Sequence, residues 1–235
     1  MDQSSDRIDN IYYESLDRFG VVSGVLQRAR MRMYNDFLGM TAAKPSDTIL
    51  DIGVSDVTID EANYLQQFYP HRANITCAGL GDGAAILAAY PGIAYRKIEP
   101  NAPLPFADKT FSIATCNAVL EHVGTDRQRR ALVAEMLRVA DRVFIAVPNR
   151  WFPVEHHTGT PLLHYWPKLF RAYCRMRGKD HWADPMNLEF ISPSRLAGFF
   201  PQGVTTKSRH SGLPLGPFSS NLVCATGAQP ASPTR

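Results

Sequence analysis

No run of about 18 apolar residues occurs in this 235-residue chain, so no segment reads as a membrane span. The polar, acidic opening MDQSSDRIDN lacks the basic-then-apolar order of a secretory leader, which predicts a cytoplasmic location. Cysteine is scarce: the four residues Cys77, Cys116, Cys174 and Cys224 stand far apart, with no C-x-x-C pair. Cys77, Cys116 and Cys224 fall inside apolar, strand-like runs, which predicts buried reduced thiols rather than a disulfide framework or a zinc knot. A net charge of +3 is too small an excess to argue for a nucleic-acid partner. Glycine is missing where a dinucleotide fingerprint needs it: Gly53-Val54-Ser55-Asp56 does not supply G-x-G-x-x-G. No internal repeat is visible.

What is present is an ordinary globular composition, 45% hydrophobic and 20% charged, in a chain long enough for one large α/β domain. Residues 8–40 carry apolar groups at helical spacing, which Gly20 and Gly24 divide into two helices. After a turn at Lys44-Pro45-Ser46-Asp47, apolar strands alternate with helices. Strands are predicted at 48–54, 75–80, 94–98, 111–117 and 142–147, and helices at 59–69, 84–90 and 127–140. This repeated βα order predicts a parallel sheet covered on both faces. From 149 to about 190 the pattern lapses into an aromatic, histidine-rich insertion. It resumes with a Ser-Pro-Ser helix start at 192–200 and two strands at 204–211 and 221–227, joined by a Gly/Pro loop that suits an antiparallel pair.

The most informative stretch is 103–123, PLPFADKTFSIATCNAVLEHV. A tight apolar turn leads through an exposed Ala-Asp-Lys-Thr segment into a buried strand that ends on Asn117 and is followed by Leu-Glu-His. Polar groups at the carboxyl end of such a strand are how an open α/β sheet presents a ligand site. This segment resembles the fourth-strand region of the class I S-adenosylmethionine (SAM) dependent methyltransferases, in particular the type 11 small-molecule group. The resemblance runs from about Thr48 to Gly227. It implies a Rossmann-like α/β fold with a seven-stranded sheet, mostly parallel with an antiparallel last strand, and helices on both faces. It also implies SAM as cofactor and a small molecule as methyl acceptor, with oxygen favoured as the acceptor atom. A nucleic-acid acceptor is disfavoured by the charge and by the lack of an Asn/Asp-Pro-Pro-Tyr type motif after the fourth strand.

The resemblance places the cofactor at Asp51, Gly53, Val54, Gly79, Asp82, Asn101, Leu104 and Asn117. Asp51 and Gly53 match the glycine loop D/E-x-G-x-G-x-G, but Ser55 and Val57 stand where the second and third glycines belong. Gly79 stands where the ribose-binding acid is usual. Asp82 either reaches the ribose from the loop or only caps the next helix. Glu99 or Asn101 contacts the adenine amine, or both lie in a solvated turn. Leu104 and Phe106 wall the adenine pocket or simply pack in the core. These departures leave a second reading open: a degenerate methyltransferase fold that does not bind SAM and acts as a non-catalytic binding partner.

His122 is the candidate general base for a hydroxyl acceptor, against the plainer role of a structural hydrogen-bonder. Asn149, Arg150, Trp151, His156 and His157 follow the fifth strand on the substrate side and are the candidate acceptor-binding residues. Glu155, His156 and His157 invite a metal reading, but sequential residues rarely point at one ion and no further zinc spacing follows, so no metal site is predicted. In 162–179, Leu162, Trp166, Leu169, Tyr173 and Met176 share one helical face, and Lys168, Arg171 and Arg175 another. Such a helix either packs on the domain with a solvated basic face or lies on a membrane or lipid-like acceptor. The organisation predicted is an N-terminal helical cap at 1–44, a SAM-methyltransferase domain at 45–227 with its insertion at 149–190, and a disordered tail at 228–235. The oligomeric state is not legible.

Overall fold

The computed structural model describes residues 23–55 and 63–227. The first of the two N-terminal helices, the start of the helix predicted at 59–69, Val57 of the glycine loop and the tail 228–235 lie outside the described residues. Seven strands form one sheet: β1 (Ile49–Ile52), β2 (Ile75–Gly79), β3 (Ala94–Lys97), β4 (Phe111–Asn117), β5 (Ala140–Pro148), β6 (Thr206–Ser211) and β7 (Asn221–Thr226). Their order is β3-β2-β1-β4-β5-β7-β6. Strands β1 to β5 pair in parallel. β7 inserts antiparallel between β5 and β6. This is the arrangement that the resemblance implied.

The alternation of side chains along the central strands sends them to two separate cores. On one face Ile49, Cys77, Ile113, Phe144 and Val223 pack with Met33 and Phe37 of helix α1 (Ser23–Thr41), Leu65 of α2 (Tyr64–Phe68) and Ile86 of α3 (Ala84–Ala89). On the other, Leu50, Ala114, Cys116, Val143, Ile145 and Cys224 pack with Val133 and Met136 of α4 (Asp126–Val139) and Leu196 of α7 (Pro193–Ala197). A strand buried on both faces is apolar at nearly every position, which is why these strands read as near-continuous hydrophobic runs. Helix α4 begins on a capping box. Thr125 Oγ1 accepts from the Gln128 amide at 3.4 Å, and Gln128 Oε1 accepts from the Thr125 amide at 2.7 Å.

The insertion has a core of its own. Phe170 and Cys174 of α5 (Pro167–Met176), Trp182 and Ala183 of α6 (Asp180–Ala183), Leu188 and Phe190 bury one another. All four cysteines are free and buried. Helix α5 therefore turns Phe170 and Cys174 inward and leaves Trp166, Leu169 and Met176 exposed at 59%, 56% and 85%. Leu162, Trp166, Leu169 and Met176 of the apolar face named from the sequence thus point outward, beside exposed Lys168 and Arg175, while Tyr173 packs against the insertion's core. Among the described residues, no helix is long and apolar enough to cross a membrane.

Candidate functional site

In this strand order the chain turns back between β1 and β4, and an open α/β sheet splits into a crevice at that switch point, beyond the carboxyl ends of its strands. A cavity of about 1270 Å³ occupies this position. Its floor is formed by Asp51 in β1 with Gly53 and Val54 just beyond it, and by Asn117 at the end of β4 with Val119 beyond it. One wall is Lys97 to Leu104 after β3. A second wall is helix α1, through Leu26, Ala29, Arg30 and Met33. The third comes from the insertion, through Phe152, Glu155, His156, His157, His181 and Asn187.

Local geometry accounts for the glycines here. Gly53 has φ +82°, and a Cβ on it would collide with the Val119 side chain. At Gly79 a Cβ would lie 2.7 Å from Tyr95 Oη and 2.8 Å from the Val54 carbonyl. No acid can stand there unless that tyrosine or that backbone shifts. Tyr95 is itself fixed, its hydroxyl donating to Gly81 O at 3.0 Å. Gly79, where the resemblance leads one to expect an acid, is thus closely enclosed by β3 and the loop after β1.

Asp51 is 7% exposed, and Gln66 Nε2 on α2 donates to its Oδ2 at 2.7 Å. Burial pushes the Asp51 carboxyl up to about 7, although the Gln66 hydrogen bond works against the rise. Asn117 Oδ1 is buried and has no hydrogen-bond partner among the described residues. The apolar turn before β4 is fastened to α4 from behind. Glu135 Oε2 accepts from the Leu104 amide at 2.8 Å, and Arg138 donates to Leu104 O at 3.0 Å and to Phe106 O at 2.8 Å.

At the insertion end the polar side chains form a chain of contacts. His122 Nδ1 lies 2.7 Å from the Asn187 carbonyl, which can only accept, so Nδ1 carries the proton. His122 Nε2 lies 3.2 Å from His157 Nε2, and His157 Nδ1 lies 2.6 Å from Glu155 Oε1. Glu155 also accepts from the amides of His157 and Thr158 and from Thr158 Oγ1. Burial alone would raise the Glu155 carboxyl, but the His157 charge and these hydrogen bonds hold it far below the usual range. Burial alone would lower His157, and Glu155 outweighs it to raise it. His122 is pushed down to about 3, first by burial and then by the charge on His157. Glu121 is 1% exposed and is pushed up to about 7 by burial.

The structure separates the sequence-based candidates into two groups. Asp51, Gly53, Val54, Asn101, Leu104, Asn117, His122, His156 and His157 line the cavity. Gly79, Asp82, Asn149, Arg150 and Trp151 are not among its lining residues. Asp82 is exposed and accepts from the Ala84 amide at 2.9 Å, a local turn at the start of α3. Asn149 is 2% exposed and serves the backbone: its Nδ2 donates to Pro217 O and Ser219 O, and its Oδ1 accepts from the Trp151 amide. Trp151 faces outward, with the Arg150 guanidinium 4.8 Å from its ring centroid. His122, the proposed base, is held at both ring nitrogens and its basicity is suppressed. Sequence reasoning missed Gln66, Glu135, Arg30 and Asn187. The i,i+3 spacing of Glu135 and Arg138 was visible, but the turn that they grip was not.

No protein-family model and no curated protein matches this chain in sequence. Solved structures match it in shape. A SAM-dependent methyltransferase from Thermotoga maritima is 13% identical, with 94% of this chain and 99% of that one covered and a TM-score of 0.56. The N-methyltransferase NodS from Bradyrhizobium japonicum, solved with S-adenosyl-L-homocysteine, is also 13% identical, covering 95% and 96% at a TM-score of 0.54. A chain from Rhodobacter sphaeroides named as a zinc-dependent alcohol dehydrogenase is 9% identical, covering 96% and 98% at a TM-score of 0.57. The chain has the class I SAM-dependent methyltransferase fold, and at these identities the likeness speaks of fold alone.

Proposed function

We propose that this protein is a SAM-dependent methyltransferase that acts on a small molecule, with oxygen as the acceptor atom. The observation that carries this reading is Asp51: a buried carboxylate on the floor of the switch-point cavity whose charge awaits a cation. The amino group of SAM is such a cation, and an ammonium beside Asp51 would return it to its ionised form. Gly53 keeps the first loop close to the sheet, the unpartnered Asn117 Oδ1 offers an acceptor, and Leu104 offers an apolar surface for a purine. Lys97, Glu99 and Asn101 on the β3 wall take over the ribose and adenine contacts, since Gly79 and Asp82 stand apart. A cavity of about 1270 Å³ exceeds the roughly 300–1,000 Å³ of an ordinary ligand pocket, so cofactor and acceptor fit together.

When bound, the cofactor supplies a methyl group on a sulfonium for in-line displacement. The protein's part is to orient the acceptor and exclude water. His156 and His157 at the insertion wall favour a polar acceptor, and Phe152 adds apolar surface next to them.

Titration of the purified protein with S-adenosylhomocysteine tests this reading. A micromolar response in heat or melting temperature, lost in Asp51→Asn, is the expected result. Silence at millimolar ligand would favour the non-catalytic binding partner. Retention on immobilised NAD with no response to S-adenosylhomocysteine would favour a dehydrogenase.

A further inference from the structure

We propose that Glu121, His122 and His157 form a binding site for one divalent first-row transition-metal ion, with zinc the best match to the donors. Their ligand atoms all lie within 4.8 Å of one another. Glu121 and His122 are neighbours in the short helical turn after β4, and His157, 35 residues further on in the insertion, meets them only in the fold.

Three observations carry this inference. The first is the orientation of the imidazoles. Asn187 O and Glu155 Oε1 engage the Nδ1 atoms of His122 and His157, at 2.7 Å and 2.6 Å, which turns both Nε2 atoms inward. A carbonyl or carboxylate on the outer nitrogen is the usual support of a metal-bound histidine. The second is the spacing. Two Nε2 atoms 3.2 Å apart, each about 2.0–2.1 Å from a common ion, subtend about 100° at it, between the octahedral and tetrahedral angles. Glu121 Oε1 is 3.8 Å from His122 Nε2, within the roughly 4.2 Å that two such bonds can span, and the Glu121–His157 pair, within 4.8 Å, closes by up to about 0.6 Å on a shared ion.

The third observation decides between a metal ion and a shared proton. A proton between the two rings satisfies the histidines and nothing else. Both oxygens of Glu121 are buried and have no hydrogen-bond partner among the described residues. An unsatisfied buried carboxylate is among the costliest features that a core can hold. A dication at the meeting point of the three donors satisfies Glu121 as well. The donor set, two imidazoles and one carboxylate, suits zinc or iron(II) better than magnesium or calcium. His122 and His157 also line the large cavity, so the ion would stand at the acceptor end of the cleft. A role in polarising an acceptor oxygen rests on the methyltransferase reading above; the binding of the ion does not.

The test uses the full chain, stripped with chelator and then titrated with Zn2+ alone and, separately, with Co2+. The expected result is one equivalent of Zn2+ bound at micromolar affinity or better, and for Co2+ a visible ligand-field band that Zn2+ displaces. Glu121→Gln keeps the shape of the side chain and should weaken binding at least tenfold. His157→Ala should abolish it, and His71→Ala, remote from the site, should leave it unchanged. Binding weaker than about 100 μM, or equal binding by Glu121→Gln and wild type, would overturn the proposal. Glu121→Gln guards against a folding artefact in His157→Ala. S-adenosylhomocysteine is titrated into the stripped protein in parallel. Zinc binding without a nucleoside response upholds the metal site and removes the methyltransferase reading; the reverse result removes the metal site alone.

Discussion

Gln66 Nε2 reaches Asp51 Oδ2 at 2.7 Å, so a carboxylate on the floor of the cleft is held by a neutral amide. An amide offsets only part of the cost of burying a charge, and the Asp51 carboxyl stands near 7, well above its value of about 3.9 in an unfolded chain. Between about pH 4 and pH 7 the native state keeps a proton that the unfolded state has released. The stabilisation from this group is therefore complete below about pH 4 and is lost as the pH rises through about 7. Asp51→Asn should match wild type in stability at pH 4 and exceed it at pH 8, by ~2–4 kcal/mol. Denaturant melts of both proteins across that range check this. Nucleoside binding should run the other way. S-adenosylhomocysteine should bind wild type roughly tenfold more tightly at pH 8 than at pH 6, and Asp51→Asn weakly at both.

Gly53→Ala tests the close packing of the first loop on the turn after β4. The φ of +82° and the collision with Val119 should together cost ~1–3 kcal/mol and weaken S-adenosylhomocysteine binding. Adding Val119→Ala should recover the part due to collision and leave the part due to φ. A double-mutant cycle in urea melts separates the two, and additivity would count against the packing argument.

The Glu135–Arg138 pair predicts a specific effect on binding. Arg138→Ala removes the donors to the Leu104 and Phe106 carbonyls and leaves Glu135 as the remaining hold on the turn. The expected outcome is roughly three- to tenfold weaker S-adenosylhomocysteine binding with little change in the far-ultraviolet spectrum. Faster hydrogen exchange at the Leu104 amide in Arg138→Ala is the accompanying check; unchanged exchange would mean that the turn holds itself.

Asn149 and Trp151 should respond oppositely to what their neighbourhood suggests. Asn149→Ala deletes three hydrogen bonds to backbone that joins β5 to the β6–β7 loop, and should destabilise the protein by ~2–3 kcal/mol. Trp151→Ala, at a position 40% exposed and outside the cavity, should change neither melting temperature nor nucleoside affinity appreciably.

The order of elements was legible because burial on both faces leaves an unmistakable mark: near-continuous apolar runs such as 111–117, separated by amphipathic helices such as 127–140. The hairpin at the end was legible from loop length. Asp51, Gly53 and Asn117 were legible because a ligand site in this class of fold sits at strand ends, which are points in the sequence. Gln66 carried no comparable signal: a glutamine inside a short helix looks like solvent-facing filler until the fold sets it against Asp51. For Asp82 the sequence left two readings open, because helix capping and ribose binding draw on the same residue type, and the fold shows the local contact with the Ala84 amide.

The sequence by itself determined the succession of strands and helices in this protein, since strand burial is written in local periodicity; the place of the crevice was implied by the family resemblance and follows from the strand order. Only the tertiary structure decided which polar groups look into that crevice. Adjacent Glu155, His156 and His157 suggested no common ligand, yet the fold turns His157 back across 35 residues to face His122 beside the orphaned Glu121. The direction of a side chain and the identity of its neighbour depend on contacts between remote segments, which no local pattern records.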